Sequence, residues 1–427
     1  MSITTCSKGV WELDQIYAKV NADRYVTYSG VNDPGTLWYW GYNDVYGNGD
    51  GTVIMRSSPV QIPGTQWYNI TSGNSNTVAT KTDGTLWGWG RGNLGALGDG
   101  TTISKSSPVQ VPGTQWSKIS GGGDHTVATK TDGTLWAWGY NAFGQLGDGT
   151  IINRSSPVQV PGTQWSQITG AGRYTVATKS DGTLWSWGYN AFGQLAQNNT
   201  IHRSSPVQVP GTQWNQITSG GSHTVATKSD GTLWAWGDNG SGNLGDGTRI
   251  FKSSPIQVPG TQWSQITSGT GHTIATKTDG TLWTWGANFY GALGDGTVIK
   301  RSSPVQIPGT QWYNITGGVY HTVATKTDGT LWTWGGTTYG QLGQNNTIHK
   351  SSPVQVPGTQ WSKITSGQNH TIATKSDGTL WGWGKGDLGA LGDGTVIIRS
   401  SPVQVPGTQW NKIVGGADHS IATKFNI

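Results

Sequence analysis

Of the 427 residues, 68 are glycine and 25 tryptophan, against 5 phenylalanines and 2 methionines, and charged residues make up only 11% with a formal charge of +5. A chain of this length would ordinarily make two or three domains with about a quarter of its residues charged, so this is not the composition of a generic enzyme. The single cysteine, Cys6, excludes an internal disulfide framework and any all-cysteine metal site within one chain. No run approaches the ~20 apolar residues of a membrane-spanning helix. The opening MSITTCSKGVWELDQIY lacks the apolar core of a secretory signal, so a soluble protein made in a reducing compartment is expected.

The first 35 residues stand apart from the rest of the chain. Within residues 9–21 (GVWELDQIYAKVN), Leu13, Ile16, Tyr17 and Val20 fall at i, i+3, i+4 and i+7, which predicts a short helix with one apolar face. Such a helix needs a surface to cover it, so these four residues are candidate partner-binding positions. From residue 36 the chain repeats. PGTQW ends at Trp67 and returns every 49 residues up to Trp410, and TLW-x-WG recurs in register from Trp38/Trp40 to Trp381/Trp383. Residues 36–427 divide into eight units of 49 with none left over.

Residues 116–164 show what a unit contains. A short apolar strand is predicted at 116–119, followed by a Gly-rich turn. Residues 125–130 (HTVATK) and 134–139 (TLWAWG) alternate on either side of Asp132-Gly133, a hairpin signal because glycine accepts the positive φ of a tight reversal. A Gly/Asn-rich loop then leads to residues 157–161 (PVQVP), predicted as the outer edge strand because proline cannot donate to a ladder. Four short strands in a unit too small to bury its own indoles predict an all-β fold, a propeller of eight four-stranded blades. Burying an indole is worth about 2 to 3 kcal/mol, so the 24 repeated tryptophans read as core between blades rather than as a platform for sugars or bases. Residues 410–427 supply two strands and stop, and residues 36–66 begin where that unit would continue. One blade is therefore expected to be built from both parts of the chain, which closes the ring and removes two sheet edges.

The run GGDHTVATKTDGTLWAWGYNAFGQLGDG at residues 122–149 resembles the repeat of the regulator of chromosome condensation family, with its Gly-rich turn, His-Thr, strand, Asp-Gly, Trp-Gly pair and Asn-x-x-Gly-Gln-Leu-Gly. The resemblance covers all eight units and implies a β-propeller, although the family usually has seven blades. It also implies, as one activity, nucleotide exchange on a small GTPase; that activity depends on unique residues on one face and an inserted wedge, and neither is evident in this chain. Separately, Gly-Val-Trp-x-Leu-x-x-Ile-Tyr-x-Lys at residues 9–19 is similar to a segment of tailed-bacteriophage structural proteins, particularly those of cyanobacteria and marine bacteria. That likeness implies a virion component assembled in the host cytoplasm.

Near-identity of the units argues against a catalytic constellation, which needs dissimilar groups placed once. No catalytic, cofactor-binding or metal residue is assigned, and the chain is expected not to be an enzyme. The ATK lysines and the basic residues before Ser-Ser-Pro are sixteen of the 27 bases, and the turn and Gly-Asp-Gly aspartates thirteen of the 22 acids. Charges thus form interleaved rings of both signs, not the clustered basic face of a nucleic-acid groove. The in-register histidines His125, His223, His272, His321, His370 and His419, replaced by Asn76 and Tyr174 in two units, read as hydrogen-bonded structural residues rather than metal ligands. Gly90-x-Gly92-x-x-Gly95 and Gly384-x-Gly386-x-x-Gly389 match a dinucleotide fingerprint in letters only, since no helix follows. The Gly-Asp-Gly-Thr strings lack the distal Glu of a calcium loop.

Units differ mainly just before His-Thr and just after Trp-Gly, at predicted turns. Loops over a rigid scaffold are where binding surfaces lie, so Tyr174, Tyr320, Phe143, Phe192, Phe289, Tyr290 and Tyr339 are candidate contact residues, with neutral drift after duplication as the competing explanation. The sequence therefore reads as a non-enzymatic structural and binding protein of a phage virion: tail, fibre, neck or capsid decoration. Residues 1–35 would hold it to other virion proteins. Its loops would make multivalent contact with a host surface glycan, a receptor or neighbouring virion proteins, and a homo-oligomer within the assembly fits that role. A small-GTPase exchange regulator and a bacterial lectin are the alternatives. No cofactor, nucleic acid or membrane insertion is expected.

Overall fold

The computed structural model describes residues 35–43, 49–73 and 76–425. The helix predicted on Leu13, Ile16, Tyr17 and Val20, and the attachment segment it belongs to except for Gly35, lie outside the described residues. Within them, 32 strands form eight antiparallel sheets of four, the blades of a propeller. The ring closes as expected. Thr36–Gly41 pairs along its whole length with His419–Lys424, so the closing blade runs Arg56–Gln61, Thr36–Gly41, His419–Lys424, Trp410–Gly415.

In the blade taken as the example, the inner strand is Trp116–Gly121, followed by His125–Lys130, Leu135–Gly139 and the outer strand Arg154–Val160. At the reversal, the Gly133 N–H donates to the Lys130 carbonyl at 3.0 Å with Gly133 at φ +78°. The outer strand starts before the predicted proline. Pro157 lies in the stretch between Arg154 and Val158 where the register slips, and a bulge on an edge is where a residue without an N–H does least harm. Because successive strands reverse direction, the turn after the inner strand and the long loop before the outer strand emerge on one side, the loop face. The Asp-Gly reversals and the PGTQ strings share the other, the turn face.

Blades are joined by the second tryptophan of each TLW-x-WG pair. Trp138, Trp187, Trp236, Trp285, Trp334, Trp383 and Trp40 are fully buried. Each donates its indole N–H to a carbonyl of the preceding blade's long loop, as Trp138 does to Ala96 at 3.1 Å and Trp187 to Gln145 at 3.0 Å. The glycine after the loop leucine makes room: a Cβ on Gly147 would stand 2.6 Å from Trp187 Nε1, at φ +77°. The PGTQW tryptophans are buried as well. The eight first tryptophans of the pairs are not core as expected, because Trp38, Trp87, Trp136 and their equivalents are only half-buried. They stand beside the Asp-Gly reversal, at the open end of the blade, where no neighbouring loop covers them.

Candidate functional site

The two faces differ in chemistry, and the turn face is the uniform one. Lys130 Nζ lies 4.8 and 4.7 Å from the ring centroids of Trp116 and Trp136, which are packed edge to face at 6.3 Å. This cation–π arrangement, which covers the half-buried indole with the lysine of the ATK string, recurs in all eight blades. Six of the eight bases before Ser-Ser-Pro are likewise engaged within their own blades. Arg56, Lys105, Arg154, Lys252, Arg301 and Arg399 meet the Gly-Asp-Gly aspartates at 2.6 to 3.6 Å. Burial pushes the Asp148 carboxyl up, but hydrogen bonds from Thr150 and Arg154 outweigh it and hold the pKa below its ordinary value. Six of the repeated bases are thus paired with acids, and the eight ATK lysines lie against indoles.

The histidine ring is structural in its geometry. Each of the six is buried, and His125 Nε2 lies 3.0 Å from Thr175 Oγ1 of the next blade, a contact repeated from His223 to Thr273 and from His370 to Ser420. Burial lowers the pKa to about 4 for His125, His223, His272, His370 and His419, and to about 3 for His321, so the rings are neutral near pH 7. Tyr174 occupies the same register position and is a correction to the candidate contacts. It is 1% exposed, and its hydroxyl donates to the His223 carbonyl at 2.7 Å. Its side chain replaces a histidine inside the blade interface and is closed to a partner.

Of the remaining candidates, Phe143, Phe289, Tyr290 and Tyr320 gather on the loop face, in two clusters that bridge adjacent blades. Phe143, half-buried, packs on Tyr189 at 5.0 Å and His202 at 5.4 Å, touches Tyr140 at 6.2 Å, and carries the Arg173 guanidinium 5.4 Å from its ring. In the second cluster Tyr320, 42% exposed, meets Tyr290 at 5.6 Å and Phe289 at 6.2 Å. Tyr290 in turn lies tilted against His349 at 4.6 Å, and Lys300 Nζ lies 5.3 Å from the Phe289 ring. Phe192 stands apart from both, edge-on to Phe251 at 6.4 Å. Tyr339 is half-buried beside Lys385, whose ammonium is raised in pKa, against some burial, by Asp418 at 3.0 Å. No group of three or more His, Cys, Asp or Glu able to hold a metal is present among the described residues.

Sequence reasoning missed two features of these surfaces. Each long loop exposes aliphatic side chains on its outer part, such as Ile151 at 66%, Ile250 at 65%, Val298 at 66% and Ile348 at 64%. Their signal was an apolar residue recurring shortly before Ser-Ser-Pro in an otherwise polar loop. The second is His202 and His349, which join the aromatic clusters through the two units that read QNNTIH in place of a Gly-Asp-Gly string.

The comparisons with known proteins fit this geometry. A model of the RCC1-like domain matches residues 155–422, and models of the regulator of chromosome condensation (RCC1) repeat match residues 83–129 and 116–145. The chain belongs to the RCC1-like family. Among solved structures, human WBSCR16 is similar over 92% of this chain and 99% of its own, at 20% identity and a TM-score of 0.66. Saccharomyces cerevisiae Prp20p, described with its binding to Gsp1p and histones, covers 92% of each chain at 19% identity and a TM-score of 0.63. Yeast RCC1 (Prp20) bound to Kap60 is similar over 92% of this chain and 89% of its own, at 19% identity and a TM-score of 0.64. These likenesses carry the fold. No curated protein sequence matches the chain. As an RCC1-like propeller it has eight blades, the number that the eight repeats predicted, against the seven usual in the family.

Proposed function

We propose that this RCC1-like propeller is a non-catalytic binding module that engages a protein partner through its loop face, and that it acts as a guanine-nucleotide-exchange-type regulator of a small GTPase. The observation that carries the reading is the asymmetry of that face. The turn face repeats one Lys–Trp–Trp contact in every blade, whereas on the loop face aromatic and basic side chains gather into clusters at Phe143/Tyr189/His202/Arg173 and at Phe289/Tyr290/Tyr320/His349, with a separate pair at Tyr339 and Lys385. Exposed aromatics flanked by Arg or Lys have the chemistry of protein-interface hot spots. Family membership, and the Gsp1p binding described for Prp20p, support the exchange form over attachment to a virion. The test is release of a fluorescent guanine nucleotide from a panel of small GTPases. At least tenfold acceleration by the native chain, lost in Tyr290→Ala with Tyr320→Ala, is expected. Acceleration that the double variant retains in full, or none with any GTPase, rejects it. Attachment to a phage particle through residues 1–35 is a separate proposal, checked by mass spectrometry of purified particles.

A further inference from the structure

We propose that the central channel contains an anion-binding site in which Lys363 and Lys412, on two adjacent inner strands, take a phosphoryl-type oxyanion of a small molecule. A cavity of about 470 Å³ in the channel is lined by Asn69, Gln265, Asn314, Lys363 and Lys412, with Ile315, Ile364 and Ile413 among them. A second cavity of about 370 Å³ shares Asn69 and Ile70 and continues to Lys118 and Gln167. All the polar side chains named lie two residues after a PGTQW tryptophan, so one position of the repeat supplies the channel's polar lining. It is basic in one arc, at Lys363, Lys412 and Lys118, and neutral at Gln167 and Gln265.

Nothing in the channel wall balances those charges, because the eight inner strands contain no Asp or Glu. Lys363 Nζ donates to the carbonyl and side-chain oxygen of Asn411, and Lys412 Nζ to the Tyr68 carbonyl at 2.7 Å and Asn69 Oδ1 at 2.9 Å. An ammonium has three N–H groups, so two oxygen acceptors leave each with one, while the Lys412 ammonium also lies 3.9 Å from the Tyr68 ring centroid. All these acceptors are neutral. Burial, and then the nearness of Lys363, lowers the Lys412 pKa, while burial alone lowers that of Lys363. An oxyanion shared by the two ammoniums would replace their repulsion with charge-assisted hydrogen bonds. The cavity is the size of a small-molecule site.

The decisive experiment is calorimetric titration of the full chain at pH 7 and fixed ionic strength, with orthophosphate, pyrophosphate and glucose 6-phosphate as probes. Saturable binding of at least one probe, with one site per chain, is expected. Lys363→Gln with Lys412→Gln should weaken it at least tenfold, and Lys118→Gln less than threefold. Glutamine stands at this position in other blades, so the fold should accept it; if the double variant is nonetheless destabilised, each single variant should weaken binding about threefold. Saturation by orthophosphate identifies free phosphate as a ligand source, and saturation by glucose 6-phosphate alone identifies a phosphomonoester. Absence of saturable binding, or affinity unchanged in the double variant or in both single variants, overturns the proposal.

Discussion

Lys130 and Phe143 sit at opposite ends of one blade. The contact Lys130 makes with two indoles is repeated around the ring with ring distances between 4.1 and 4.8 Å. The contact Phe143 makes with Tyr189 and His202 has only one partial counterpart, at Tyr290 and His349. The turn face and the blade interior are held constant by packing, since their buried side chains pack against their own or the next unit. On the loop face the backbone repeats while the exposed side chains change, because a substitution facing water costs little stability. Uniform positions therefore report on the ring and variable ones on what the ring touches.

That contrast can be broken or sharpened by experiment, and acid should produce the largest effect because it acts on six positions at once. A histidine has a pKa near 6.5 unfolded and about 4 or lower when buried here, so as pH falls the unfolded chain takes up protons first. The stabilisation is complete above pH 6.5 and is lost as pH drops towards 4. Each ring should lose on the order of 2 kcal/mol by pH 5, and six such losses rival the whole stability of a typical domain. The urea midpoint should collapse between pH 7.5 and 5; an unchanged midpoint would mean that the rings are protonated in place.

Next comes the interior. Trp236→Ala removes a fully buried indole bonded to the Gln194 carbonyl and should cost about 3 to 5 kcal/mol in urea unfolding. Trp234→Ala, on the same strand but half-buried, should cost about half as much, and equal costs would erase the distinction between the two indoles. Gly147→Val pushes a side chain against Trp187 at positive φ and should cost about 2 to 4 kcal/mol. The equivalent residue in the following unit is Ala196 at φ 60°, where Ala196→Gly should raise stability by up to about 1 kcal/mol, read as a small rise in thermal midpoint. The smallest change is expected on the loop face. Tyr320→Ala should leave stability within about 0.5 kcal/mol while reducing partner binding, and a large loss of stability would turn that cluster into packing.

The 49-residue period, the W-x-W pairs and the Asp-Gly reversals were enough to set the blade count, the four strands and the closure between residues 36–41 and 419–424, since alternation and turn chemistry are local properties. Burial depth was not local. Trp136 and Trp138 point to the same side of one strand, and only the neighbouring blade's loop, which covers Trp138 but not Trp136, separates core from rim. Tyr174 shows the same limit. Its place just before a varying turn suggested a contact residue, whereas its register with His125 already marked an interface position, and the fold put it there. The channel lysines, ordinary surface residues by sequence, became a cluster only when distant inner strands were brought around one axis. A repeat carries its own periodicity, but which copies of a side chain meet, and which face water, depends on contacts between units far apart in the chain.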